Sequence, residues 1–197
     1  MINHLETRPT KHNWASLIKS TLALLVYHYV WQAQGVGNSK AFLSELKQRL
    51  SDNFQQNWHE RLSNSTRATF YINISSFNFQ SYLNVVNIRK FRQALTKLRV
   101  SSHRLEIEAG RWTKPQITPR ENRLCKQCNV LEDEFHFLFE CSLYSNIRQQ
   151  NIKPYFTRRR SMHKAIELLK TENTTNLQKL ATYIFNGFKI RDATLYS

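Results

Sequence analysis

Glycine and proline are scarce in this chain, four of each in 197 residues. Sandwiches and barrels need many tight turns, and disordered chains are rich in both residues, so the scarcity argues against those classes. Aspartate is scarcer still: Asp52, Asp133 and Asp192 stand alone, none close in sequence to another. A two-metal polymerase or nuclease gathers several carboxylates around its ions. Gly35-Val-Gly37 has no third glycine and no Lys-Ser/Thr pair after it, so it is not a phosphate-cradling loop, and no Gly-x-Ser-x-Gly elbow occurs. The expectation is a protein without enzymatic activity. Long apolar runs are missing too. Leu22 to Trp31, interrupted by His28, covers about half of the ~20 residues that a bilayer span requires. Charged residues precede that run, unlike a signal peptide, so the expected location is intracellular with no membrane contact.

Acidic residues are the other shortage. Fourteen Asp and Glu face 29 Lys and Arg, a formal net charge of +15. That balance predicts an acidic partner, DNA or RNA first of all. Apolar residues make up 41% of the chain and aromatics 12%, enough for a real core.

Helical periodicity dominates, and an all-α, bundle-like fold is expected, in three zones. Residues 1–64 read as a helical hairpin. Asn13 can cap a helix carrying Trp14, Leu17, Ile18, Leu22 and Leu25 on one stripe. From Leu22 to Trp31 apolar residues spread around the helix, which predicts burial of most of its circumference. After Gly35-Val-Gly37, Asn38 or Ser39 starts a helix with Phe42, Leu43, Leu46, Leu50, Phe54, Trp58 and Leu62 at spacings of three and four. Residues 65–151 form a basic region, and residues 152–197 add helices capped by Ser161 and by Thr174 or Thr175. For Ala68 to Ile74, helix is favoured over strand.

The basic region is the most biased. Between Arg61 and Leu131 there are thirteen Lys and Arg against three Glu, and no acid at all from Arg61 to Leu105. From Asn87 onward, Ile88, Phe91, Ala94, Leu95, Leu98 and Leu105 share one helical face. Arg89, Lys90, Arg92, Lys97, Arg99 and Arg104 then fall on the solvent side, where they are expected to bind phosphate backbone. Arg111, Lys114, Arg120, Arg123 and Lys126 would continue the track. Trp112 either stacks on a base or packs under the neighbouring module, and packing is favoured.

All three cysteines lie within 17 residues, as Cys125-Lys-Gln-Cys128 and Cys141, with His136 between them. C-x2-C-x7-H-x4-C offers four ligands at finger-like spacing, and a Cys3His set leaves no open position for water. One structural Zn2+ is expected on Cys125, Cys128, His136 and Cys141. Leu131 to Glu140 is expected to be a short helix with Glu132, Asp133 and Glu134 in its first turn, where the positive helix end favours acids. A zinc deaminase is excluded because no His-x-Glu precedes the Cys-x-x-Cys.

The stretch from Ala94 to Tyr144 resembles the C-terminal tail of LINE-type (non-LTR) retrotransposon reverse transcriptases. The likeness rests on Ala94-Leu-Thr-Lys-Leu-Arg99, Glu106-Ile-Glu-Ala-Gly-Arg111, Pro119-Arg-Glu, Cys125-Lys-Gln-Cys128-Asn, Glu132-Asp-Glu-Phe-His136 and Cys141-Ser-Leu-Tyr144. It covers about 50 residues of the 197. What the resemblance implies is a zinc-binding region, with the four ligands above, that helps hold nucleic acid during target-primed reverse transcription. The family's polymerase palm and endonuclease are missing, so the chain reads as a detached, non-catalytic tail. Arg158, Arg159 and Arg160 extend the basic track, mark nuclear import or form a solvated loop, and the expected location is nuclear. The competing expectation is a protein-interaction scaffold whose zinc is purely structural.

Overall fold

The computed structural model describes residues 13–67 and 70–195. Among them the only strand-like pairing is one isolated antiparallel bridge, Leu124 to Leu131, and the fold is all-α as expected. The chain divides into two compact units, residues 1–61 and 62–197.

The first unit is small. Helix α1 (Trp14–Leu24) starts where Asn13 Oδ1 accepts the Ala15 amide at 3.0 Å. It does not continue to Trp31. Val26 adopts a left-handed φ of 66°, the Tyr27 amide donates to Leu22 O at 2.7 Å, and α2 (His28–Ala33) begins anew. That break corrects the expected burial around the whole circumference: Leu24 and Val26 are exposed, because the turn carries them out of the helix packing. Helix α3 (Ser39–Ser63) is capped by Asn38, whose Oδ1 accepts the Lys40 and Ala41 amides at 3.1 Å each. The core of this unit is Leu22, Leu25 and Tyr27 against Val30, Trp31, Phe42 and Leu46. Of the α3 stripe, only Phe42 and Leu46 join it; Leu43, Leu50 and Phe54 are exposed.

The second unit holds the main core. It begins with α4 (Tyr71–Ile74), α5 (Tyr82–Val85), α6 (Arg89–Arg99) and α7 (Glu106–Ala109). After the cysteine region come α8 (Ser145–Asn151), α9 (Pro154–Arg158), α10 (Met162–Lys170) and α11 (Thr174–Leu195). The helical reading of Tyr71 to Ile74 holds, while Ala68 and Thr69 lie outside the described residues. Ser161 caps α10 as expected. Asn173, not a threonine, caps α11, its Oδ1 taking the Asn176 amide at 3.0 Å. Helix α11 packs against α5, α6 and α8, burying Leu177, Leu180, Ala181, Tyr183 and Ile184.

Helix α6 is shorter than its periodicity predicts. It stops at Arg99, and Ser101 takes a left-handed φ of 50°. The Ser102 amide donates to Lys97 O at 2.8 Å and the Ser101 amide to Leu98 O at 3.2 Å, the paired bonds of a Schellman stop. Glycine usually fills that position because it has no Cβ to strain. Here Ser101 Oγ donates to buried Glu134 Oε1 at 2.9 Å, which holds the strained residue in place. Ile88, expected on the buried face, precedes the first turn and is exposed.

Gly187 of α11 sits where a Cβ would lie 2.7 Å from Phe137 Cζ, and Phe137 is fully buried. Gly187→Ala gains helix propensity but drives a methyl into that ring. A net loss of ~1–3 kcal/mol is expected from such overpacking, read from urea unfolding midpoints at constant m-value; a stabilised variant would contradict this packing.

Candidate metal centre and basic surface

The Leu124–Leu131 bridge closes a tight loop. Cys125 N donates to Val130 O at 2.7 Å and Asn129 N to Cys125 O at 2.8 Å, with Asn129 left-handed at φ 54°, a conformation asparagine tolerates. Cys125 and Cys128 thus face the same point. The other two donors come from a π-turn, His136–Glu140, closed by the Cys141 amide on His136 O at 2.9 Å. On an α-helix, residues five apart lie about 140° from alignment. The wider π-turn brings His136 and Cys141 back toward one side, and such turns gather at functional sites.

The four donor atoms of Cys125, Cys128, His136 and Cys141 all lie within 4.8 Å of one another. Cys141 Sγ is 3.9 Å from Cys125 Sγ and 3.7 Å from Cys128 Sγ. A tetrahedral ion with metal–sulfur bonds of ~2.3 Å sets its sulfurs about 3.8 Å apart. The thiols form no disulfide. His136 Nε2 is buried without a hydrogen-bond partner, while Nδ1 lies 3.4 Å from Glu140 Oε2, the outer carboxylate that orients a ligating imidazole.

Burial pushes the Cys125 thiol up, and that of Cys141 up to about 12. At Cys128 the effect of burial is outweighed by hydrogen bonds from the Ser142 amide and hydroxyl, which lower it. Backbone amides also reach the other sulfurs, those of Gln127 and Cys128 for Cys125 and that of Leu143 for Cys141. The donors fit a cation that would ionise the buried thiols. The group can hold a metal ion.

Of the three acids before His136, only Glu134 lies within the helical turn; Asp133 caps it and Glu132 stands outside. Each makes a separate tie. Glu132 accepts Arg191 Nε at 2.8 Å and Nη2 at 2.6 Å, and the Glu106 amide at 2.7 Å. Asp133 Oδ1 caps the turn by accepting the His136 amide at 2.8 Å. Glu134 lies 2.9 Å from His103 Nε2, and the Leu105 amide donates to His103 Nδ1. Burial would raise the Glu134 carboxyl, but the hydrogen bonds from His103 and Ser101 hold it below its ordinary value.

The basic residues part into two sets. Arg89, Lys90, Lys97, Arg104, Lys114, Arg120 and Lys126 are exposed, and Arg92 and Arg111 are half-buried. Arg92 donates to Val86 O and Arg111 to Glu108 and Thr66. Arg99 and Arg123 correct the expectation of phosphate contact. Arg99 is 4% exposed and donates to Leu169 O, Ile74 O and Gln80 Oε1, closing the C-terminal ends of α10 and α4. Arg123 is buried and donates to Thr118 O and Ile107 O at 2.9 and 2.8 Å. Trp112 is not packed under the metal module; it is 69% exposed, with the Arg67 guanidinium 5.7 Å from its ring.

Three residues of the centre escaped sequence reasoning. Arg148, buried in α8, donates to Leu138 O and Cys141 O at 2.8 and 2.7 Å, and Tyr183 Oη donates to Phe137 O at 2.6 Å. Together they satisfy carbonyls of the π-turn. Arg191 holds Glu132. The only sequence signal was that Arg191 continues the face of Ile184 and Phe188 in α11; the polar helix around Arg148 gave none. No family model matches the chain, and no curated protein and no solved structure matches it either.

One metal ion per chain is expected on these donors. Cys128→Ser should release it on dialysis, and Glu140→Gln should weaken it about tenfold, measured by competition with a chromogenic chelator. Full retention by Cys128→Ser would rule the centre out. Arg99→Ala should cost ~2–4 kcal/mol, since buried carbonyls lose their donor, whereas Lys97→Ala should stay within ~0.5 kcal/mol. Equal unfolding curves for the two would place Arg99 on the surface after all.

Proposed function

We propose that this chain is a non-catalytic nucleic-acid-binding module built on one structural zinc ion. The observation that carries it is the exposed basic set of the second unit. Arg89, Lys90, Lys97 and Arg104 are exposed, on and just beyond one helix in a stretch without acids. Cations so spaced neutralise phosphates and give affinity with little base preference. Lys114, Arg120 and Lys126 are exposed as well and would add to the phosphate contacts.

Zinc is favoured among metals by three thiols and an imidazole at tetrahedral spacing. With all four positions taken by protein, the ion would supply folding energy and no activated water. The nearby carboxylates of Glu106, Glu108, Glu132 and Glu134 are each engaged by arginine or histidine rather than left for acid–base work. The resemblance to tails of non-LTR retrotransposon reverse transcriptases agrees with both halves of this reading, and the exposed run Arg158 to Arg160 suits nuclear import. A scaffold role draws on one observation, the exposed apolar positions Leu43, Leu50 and Phe54 of α3.

Binding of the zinc-loaded chain to unrelated DNA and RNA separates the two. About four phosphate contacts predict a log–log salt slope near −3 to −4 on duplex DNA. Anisotropy titrations that detect neither duplex nor single-strand binding at ~0.1 M salt would leave the scaffold role standing.

A further inference from the structure

A groove of about 400 Å³ runs between α6 and α11 in the second unit. Lys90, Lys97, Arg104 and Lys189 stand along it, with Asp192 the one acid in its lining. Lys90 and Lys97 are two helical turns apart, about 10 Å along α6. The groove is therefore a channel between cations contributed by two helices, not a single basic face.

Its lining also includes Phe185 and Phe188, both half-buried. Phe188 is already stacked, on Phe137 at 5.0 Å and on His103 at 6.3 Å. Phe185 meets the tilted ring of Phe91, at 5.2 Å, and has the Lys90 ammonium 5.1 Å from its centroid. A phosphate would draw that flexible ammonium aside and leave the ring to a base.

We infer that this groove takes single-stranded nucleic acid, its phosphates on Lys90, Lys97, Arg104 and Lys189 and one base laid on Phe185. The inference rests on the proposed nucleic-acid-binding function and narrows it. Duplex bases are paired and stacked on one another, so a ring set within a groove engages only an unpaired base. The volume lies in the range that encloses a drug-sized molecule, which suits a nucleotide and excludes a double helix. A surface that bound duplex by phosphate contact alone would need no aromatic ring between its cations.

The test uses the full zinc-loaded chain and fluorescently labelled 12-mers of single-stranded DNA, single-stranded RNA and duplex DNA. Anisotropy titration is expected to give at least about fivefold tighter binding to a single strand than to the duplex, the equivalent of one base stack. Phe185→Leu, which keeps apolar contact with Phe91, should weaken single-strand binding by about fivefold or more and leave the duplex unaffected. Lys189→Ala, at an exposed position, should flatten the single-strand salt slope by about 0.7. Duplex binding as tight as single-strand binding overturns the inference and spares the proposed function. So does an unchanged single-strand affinity in a Phe185→Leu variant with intact circular dichroism. Where that variant unfolds, the Lys189→Ala slope decides, and an unchanged slope overturns the groove. Binding to none of the three oligonucleotides overturns both readings.

Discussion

The second unit hangs on the carboxylate of Glu132. Its side chain and that of Arg191 are each 2% exposed, and taking two such charges out of water costs several kcal/mol apiece. Only near-ideal geometry offsets that. Arg191 meets the carboxylate through two nitrogens at 2.6 and 2.8 Å, and the Glu106 amide fills a further acceptor site. The backbone of Glu132 is bonded as well, donating to Arg123 O and accepting from Ile107 N. One residue thereby ties the last helix, α7 and the cysteine loop together. Removing either partner would strand a buried charge, typically at ~3–5 kcal/mol.

Cations in this chain divide into buried and exposed sets, and composition does not distinguish them. Arg99, Arg123, Arg148 and Arg191 are buried, and the first three donate chiefly to backbone carbonyls. A guanidinium is suited to bonding several carbonyls at once, because it presents five donors in a flat fork and is less strongly hydrated than an ammonium. Among the described residues, no lysine is buried. A net charge of +15 overstates what faces solvent, since part of it is mortar between irregular segments.

Helices α6, α10 and α11 were legible because each buries residues at helical spacing, among them Leu95 and Leu98, Ala165 and Leu169, and Leu177, Leu180 and Ile184; α5, α7, α8 and α9 are too short to show a repeat. Asn13, Asn38 and Ser161 were readable as caps because short polar side chains satisfy the first free amides. The end of α6 was not, since Ser101 adopts a conformation expected of glycine and is held there by Glu134, 33 residues away. The four metal donors were legible in number and order, but the π-turn that aligns His136 with Cys141 was not, because nothing in the local sequence distinguishes it from an α-turn. Glu132, Asp133 and Glu134 looked like one electrostatic cluster; their partners come from α11, from His136 and from the α6–α7 turn, contacts that no local pattern encodes. For the same reason, periodicity alone placed Arg99 among solvated arginines when the ends of α4 and α10 claim it.

The five residues from His136 to Glu140 are pulled on from both sides. His136 faces the sulfurs, while Phe137 next to it packs against Tyr144 at 4.8 Å, Tyr183 at 5.5 Å and Phe188 at 5.0 Å. Gly187 leaves room for that ring. A metal ion that fixes His136 therefore also fixes the register of Phe137 in the core, and its binding energy becomes folding energy of the whole unit. Phe188, stacked on Phe137, forms part of the groove between α6 and α11. An ion with every coordination position filled by protein would touch no ligand in that groove; it would act only by fixing the wall that Phe188 forms.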